Sequence, residues 1–330
     1  MTLPATIGVT GAAGFIGANL VERLLDEGCL VVGCDDMSMG TMRNLEGLLG
    51  HPRFRFEEFD CRDARRMRDA MGDCDAIAHL AALKIPRYGG AMKTLEVNVD
   101  GSHVALELAR DTGAHCVLAS TSDVYGQAVP PFAEDDPIVL GPPTCRRWSY
   151  AASKYYDEHL ALRMAEEQDL KVTILRFFNA YGPRNHPSWW GGPLSVFFED
   201  LLDGGEMDLH GDGRQTRSFT YVSDTVDGVV RALARPQAAG EVINIGNDKP
   251  IAIVDLARKV QDAMGIEGRL RARTVALESL GGNYQDVRHR VPDLTKARRL
   301  LGFEPAVPLE DGLARTLEWH LSLRQALEVA

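Results

Sequence analysis

The 330-residue chain has 36 Lys and Arg against 47 Asp and Glu, for a formal net charge of −11, with 45% hydrophobic and 25% charged residues. This is the composition of a soluble globular protein large enough for one α/β unit or two domains, and its acidity argues against nucleic acid as a partner. Six scattered cysteines without a CxxC argue for reduced thiols in a cytoplasmic protein without a zinc site, and neither a signal peptide nor a bilayer-spanning apolar run is expected.

Residues 5–10 read as a short buried strand. It runs into Gly11-Ala12-Ala13-Gly14-Phe15-Ile16-Gly17 and then a helical pattern through Leu20, Val21, Leu24 and Leu25 that ends near Gly28. A second apolar run, 30–34, ends at Asp35. Glycines between strand and helix let backbone N–H groups approach a pyrophosphate, and an acid at the end of the next strand suits ribose hydroxyls. The stretch Gly11, Gly14, Phe15, Ile16 and Gly17 with Asp35 therefore predicts a dinucleotide site. Asp35 and Asp36 would repel a 2′-phosphate, which favours NAD over NADP.

Residues 53–59 read as a third strand leading to Asp60 and Cys61. Asp60 is a candidate acceptor for the adenine amino group, or else a helix cap. Residues 76–80 form a fourth strand that opens into Leu80-Ala81-Ala82, followed by a helix at 94–110 and a fifth strand at 116–119. Strands alternating with helices predict a doubly wound parallel sheet of Rossmann type. Its ligands gather at the strand carboxyl ends, which brings the loops after Thr10, Asp35, Leu80 and Ala119 to one cleft. The last of these is Ser120-Thr121-Ser122-Asp123-Val124-Tyr125-Gly126.

Tyr150 and Lys154 lie four apart on a helix at 149–167, on one face. A phenol titrates near pH 10, and a nearby ammonium favours its phenolate. With a dinucleotide site and hydroxyl residues upstream, the pair reads as a base and its activator.

These motifs, together with Arg176-Phe177-Phe178-Asn179-Ala180-Tyr181-Gly182-Pro183-Arg184 and 211–222, resemble the extended short-chain dehydrogenase/reductases. Within them, the chain is similar to the NAD-dependent nucleotide-sugar epimerases, dehydratases and decarboxylases. The resemblance implies C4 oxidation of the sugar, with Tyr150 as base, Lys154 on the nicotinamide ribose and Thr121 on the C4 hydroxyl. Cofactor contacts would also come from Leu80, Ala81 and Ala82, and from Asp60 and Cys61. Ser122 and Asp123 fall where dehydratases carry Asp-Glu and glucuronate decarboxylases Ser-Glu, so dehydration is disfavoured and Asp123 is one methylene shorter than the decarboxylase residue. The resemblance places Asn179, Arg217 and Arg290 on the substrate diphosphate, and Arg suits phosphate because its planar fork donates paired hydrogen bonds. Lys84, Arg87 and Tyr88 are candidates to face the sugar.

From about residue 182 the alternation loosens, and Trp189 and Trp190 suggest a loop over the cleft. Helices are read at 194–202, 224–234, 253–264 and 309–327, and strands at 207–210 and 242–245. The expected organisation is an NAD-binding domain at 1–180 and a smaller, discontinuous substrate lobe at 181–330, with some segments returning to the first domain. The motifs rank a UDP-sugar 4-epimerase first and a UDP-glucuronate decarboxylase as the alternative. A 4,6-dehydratase or a non-catalytic NAD-binding protein follows. No metal is expected, and the resemblance implies a homodimer through 94–110 and 149–167.

Overall fold

The computed structural model describes residues 2–84, 90–280 and 284–329. β1 (Thr6–Thr10), α1 (Phe15–Asp26) and β2 (Leu30–Asp35) form the first βαβ unit. α1 buries Leu20, Val21, Leu24 and Leu25, the spacing of one helical face, and Gly28 at φ +84° turns the chain out of it. β3 (Phe54–Glu58), α2 (Ala64–Met71) and β4 (Ala76–His79) follow. Next come α3 (Ala91–Thr112), the wholly buried β5 (His115–Thr121) and α4 (Trp148–Gln168).

The sequence reading names no strand between α4 and residue 180. The structure forms β6 (Val172–Phe177) there, its first five residues buried. Seven parallel strands make one sheet in the order β3-β2-β1-β4-β5-β6 and finally Val242–Ile245, which pairs Ile245 with Phe177. Strands buried on both faces are apolar along their middle, as in β1 and β5, with polar residues at their ends. The order reverses between β1 and β4, which stay paired up to Thr10 and His79, so the chain leaving each turns away from the other and leaves a crevice beyond the strand ends.

The remaining chain contributes α5 (Pro193–Leu202), α6 (Val222–Leu233), α7 (Ile253–Ala263), α8 (Thr295–Leu301) and α9 (Leu309–Val329). Its strands form small sheets only. Thr216–Ser218 lies between Pro250–Ala252 and His289–Arg290, and Met207–His210 pairs with Ala272–Val275. The parallel pairing of Thr216–Ser218 with His289–Arg290 sets Arg217 directly beside Arg290. The six cysteines are free and buried. No described helix is long and apolar enough to cross a membrane.

Candidate functional site

Two chambers open at the carboxyl edge of the sheet. The larger, about 680 Å³, is walled by the glycine turn, the ends of β2 and β4, and Lys154. Every cofactor candidate named from the sequence lies on this wall: Gly11, Gly14, Phe15, Ile16 and Gly17; Asp35, Asp60 and Cys61; Leu80, Ala81 and Ala82; Tyr150 and Lys154. At Gly11 and Gly17 the turn has no room for a side chain. Gly11 adopts φ +70°, and a Cβ on Gly17 would stand 1.9 Å from the Gly11 carbonyl oxygen. This close packing of turn on helix is the cradle a dinucleotide pyrophosphate requires.

Asp35 is buried. Its two oxygens accept the N–H groups of Ala13 and Met37, each at 3.0 Å. Burial raises its pKa and these hydrogen bonds oppose the rise. Asp60 is gripped by Arg62, with Nη2 at 2.5 Å, and that hydrogen bond holds its carboxyl below the usual range. It caps no helix: the cap of α2 is Asp63, which accepts the Arg66 N–H at 3.0 Å. Burial pushes the Cys61 thiol up to about 12, leaving it inert.

Phe15, Ile16, Lys84, Ser120, Tyr150 and Phe177 face both chambers. The phenol of Tyr150 thus stands where the two meet. Burial raises its pKa and the Asp123 charge adds to the rise, while a hydrogen bond with Thr121 opposes them. The Lys154 ammonium, expected to favour the phenolate, is paired with Asp157, 3.2 Å away, and both side chains are buried.

The smaller chamber, about 360 Å³, is lined by Thr121, Ser122, Asp123, Asn179, Arg217 and Arg290, together with Arg147, Tyr284 and Asp286. Arg290 meets Asp123 at 2.5 Å, and Arg147 meets the same carboxylate at 3.2 Å. Arg217 meets Asp286 at 3.0 Å, and Arg147 reaches that group at 3.5 Å. Burial works to raise the Asp123 pKa, but the guanidiniums of Arg290, Arg147 and Arg217 outweigh it and keep the carboxylate ionised. Burial lowers Arg217 to about 10, and the like charge of Arg290 adds to this. Lys84, Arg147, Arg217 and Arg290 against Asp123, Asp208 and Asp286 leave one surplus positive charge on the wall.

Asn179, at φ +36°, lines the same wall while its side-chain amide donates to the Ser218 carbonyl at 2.8 Å. Lys84 reaches the junction, where desolvation lowers its ammonium to about 8 and Asp123 opposes the fall. Arg87 and Tyr88 lie outside the described residues. The two tryptophans divide, Trp189 facing the smaller chamber and Trp190 the larger. Sequence reasoning did not assign Arg147, Tyr284 or Asp286 to the site. Arg147 had a usable signal, since it precedes Tyr150 by three residues.

The profile of the NAD dependent epimerase/dehydratase family matches residues 7–246. The chain is 34% identical over 314 residues to the UDP-N-acetyl-alpha-D-glucosaminuronate decarboxylase of Bacillus cytotoxicus, covering 94% of this chain and 96% of that one. It is 35% identical over 319 residues to UDP-glucuronic acid decarboxylase 1 of Xenopus tropicalis, covering 94% and 71%. Among solved structures, the UDP-glucuronic acid 4-epimerase of Bacillus cereus, in complex with a fluorinated UDP-glucuronic acid and NAD, superposes with a TM-score of 0.85. That match is 29% identical and covers 96% of this chain and 99% of that one.

Proposed function

The chain belongs to the NAD dependent epimerase/dehydratase family, and from that premise we propose that it decarboxylates a UDP-hexuronate through a 4-keto intermediate. The observation that carries this reading is the arginine-rich chamber sharing Tyr150 with the dinucleotide cradle. In a chain of net charge −11, a surplus of positive charge at one place calls for a polyanionic ligand. A nucleoside diphosphate bearing a uronate fits it. The motifs alone rank 4-epimerisation first, but the curated relatives support the decarboxylase alternative better.

NAD, held by the glycine turn, Asp35 and Lys154, would supply reversible hydride chemistry at C4 and would not be consumed. The side chains do the rest. As the phenolate, Tyr150 accepts the C4 hydroxyl proton, and Thr121, hydrogen-bonded to Tyr150, orients that hydroxyl. Once C4 is a ketone, the C6 carboxylate is a β-keto acid. The C5–C6 bond breaks, its electron pair moves toward the C4 oxygen, and CO2 leaves. A phenol whose pKa is raised holds its proton at this stage, so Tyr150 and Thr121 donate hydrogen bonds to the enolate oxygen. A proton then returns to C5, Tyr150 gives its proton back to the C4 oxygen as the carbonyl is reduced, and the net change is UDP-hexuronate plus a proton to UDP-pentose plus CO2. In this reading Arg217, Arg290, Arg147 and Asn179 hold the diphosphate, and Lys84 faces the uronate with Ser122 and Asp123. Asp35 and the glycine turn hold the dinucleotide.

The experiment is incubation with UDP-glucuronate and UDP-N-acetylglucosaminuronate labelled with ¹³C at C6. Labelled CO2 equimolar with a UDP-pentose is expected. A 4-epimer that keeps its label would replace this reading with the epimerase, which the Bacillus cereus structure also supports. A homodimer is part of the proposal, because Met92 on α3 and Tyr156 on α4 are 68% and 51% exposed. Sedimentation of the Tyr156→Glu protein tests it, with a monomer expected.

A further inference from the structure

Behind Lys154 lies an acid that the steps above leave unused. Asp157 follows Lys154 by three residues on α4, so both side chains share one face. Lys154 Nζ lies 3.2 Å from Asp157 Oδ2, and the two side chains are 2% and 1% exposed. Ser102 of α3 donates to the same oxygen at 2.8 Å. The other oxygen, Oδ1, is buried and has no hydrogen-bond partner among the described residues. A carboxylate with one oxygen doubly engaged and the other bare is a poor way to join two helices, since an apolar pair of similar volume joins them without desolvating charge. Lys154 lines the cofactor chamber and Asp157 does not, so the ion pair anchors the lysine from the interior side.

We propose that Asp157 is a positioning residue, holding the Lys154 ammonium at the chamber wall and offsetting part of its pull on the Tyr150 phenol. This rests on Tyr150 acting as proposed above and on Lys154 holding the nicotinamide ribose, as the family resemblance implies. The electrostatics agree. Burial and Asp123 raise the phenol most, and Asp157 adds to them against the Thr121 hydrogen bond. The neighbouring groups do not duplicate this effect. His79 on β4 is held neutral by burial, at about 3, with Lys154 contributing. Cys61 stays protonated, and Glu158 is committed to Arg176 on β6 at 2.7 Å.

The test is the tyrosinate absorbance of the NAD-bound protein, titrated for the parent and for Asp157→Asn, each differenced against Tyr150→Phe in the same background. The midpoint is expected to fall by about half to one pH unit in Asp157→Asn, roughly threefold to tenfold more phenolate at a given pH. The acidic limb of the kcat profile should move with it. An unchanged midpoint, even with a lowered melting temperature, would assign Asp157 a purely structural role and overturn the proposal. Should Asp157→Asn not fold, Asp157→Glu keeps the charge but displaces the ammonium. It is expected to keep the parent midpoint and weaken NAD binding by about threefold or more, and parent-like NAD affinity would overturn the proposal. Neither measurement depends on which product forms, so failure of the decarboxylase reading leaves both intact.

Discussion

Replacing Arg147 by Met tests the electrostatics of the substrate chamber most directly. The guanidinium is 12% exposed and touches Asp123 and Asp286 at 3.2 and 3.5 Å. It also donates to the Tyr284 hydroxyl and the Gln285 carbonyl, both at 2.9 Å. Methionine keeps an unbranched stem of similar length and removes the charge. Lys84, Arg217 and Arg290 then only balance Asp123, Asp208 and Asp286, and the surplus that attracts a polyanion is gone. A charged hydrogen bond contributes about 1.5–3 kcal/mol, which converts to roughly 10- to 150-fold in affinity. Calorimetry with UDP and UDP-glucuronate should show that loss, as a raised KM with a smaller change in kcat, because binding that is equal in ground and transition states is removed. NAD affinity should stay at the parent value, since Arg147 is not on the cofactor wall. UDP-glucuronate affinity within about twofold of the parent, well short of a charged hydrogen bond, would refute the assignment of this chamber to the diphosphate and uronate.

Three other outcomes follow from the same geometry. Tyr150→Phe should lower kcat by about 10²- to 10⁴-fold, the usual contribution of a positioned acid–base group, with NAD still bound. Unchanged turnover of every UDP-sugar tried would remove Tyr150 from the chemistry. Gly17→Ala forces a Cβ to 1.9 Å from the Gly11 oxygen, and overpacking of this kind costs about 1–3 kcal/mol. Both the melting temperature and NAD affinity should fall, and parent values for both would show that the turn has slack. Asp123 has a pKa below the ordinary 3.8. A lowered carboxyl adds stability that is present above the unfolded value and lost as pH falls through the folded one. Urea unfolding between about pH 5 and pH 2 should therefore show an acid-dependent loss that is smaller in Asp123→Asn, and equal losses in the two proteins would contradict the ion pairs with Arg290 and Arg147.

The glycine turn, Asp35 and the Tyr150–Lys154 pair were legible in the amino-acid order because each rests on local rules. Strand and helix periods place the turn between β1 and α1, and a four-residue step puts Tyr150 and Lys154 on one face. Arginines for the diphosphate were legible only through family resemblance. What joins Arg217 to Arg290 is a two-residue parallel pairing between segments some seventy residues apart, which no local pattern announces. The sequence reading gave Lys154 no acidic partner, and the one it takes is Asp157, fixed by Ser102 on another helix.

The chain's own order thus determined the class of fold and the cofactor, since helix and strand periodicity and short motifs act over one or two turns. Only the tertiary structure decided which charges share a chamber. Electrostatic interaction depends on distance and burial, and these are set by strand pairing and helix packing between residues far apart in the chain. That is why Arg147, Asp286 and Asp157 emerged from the fold and not from the sequence.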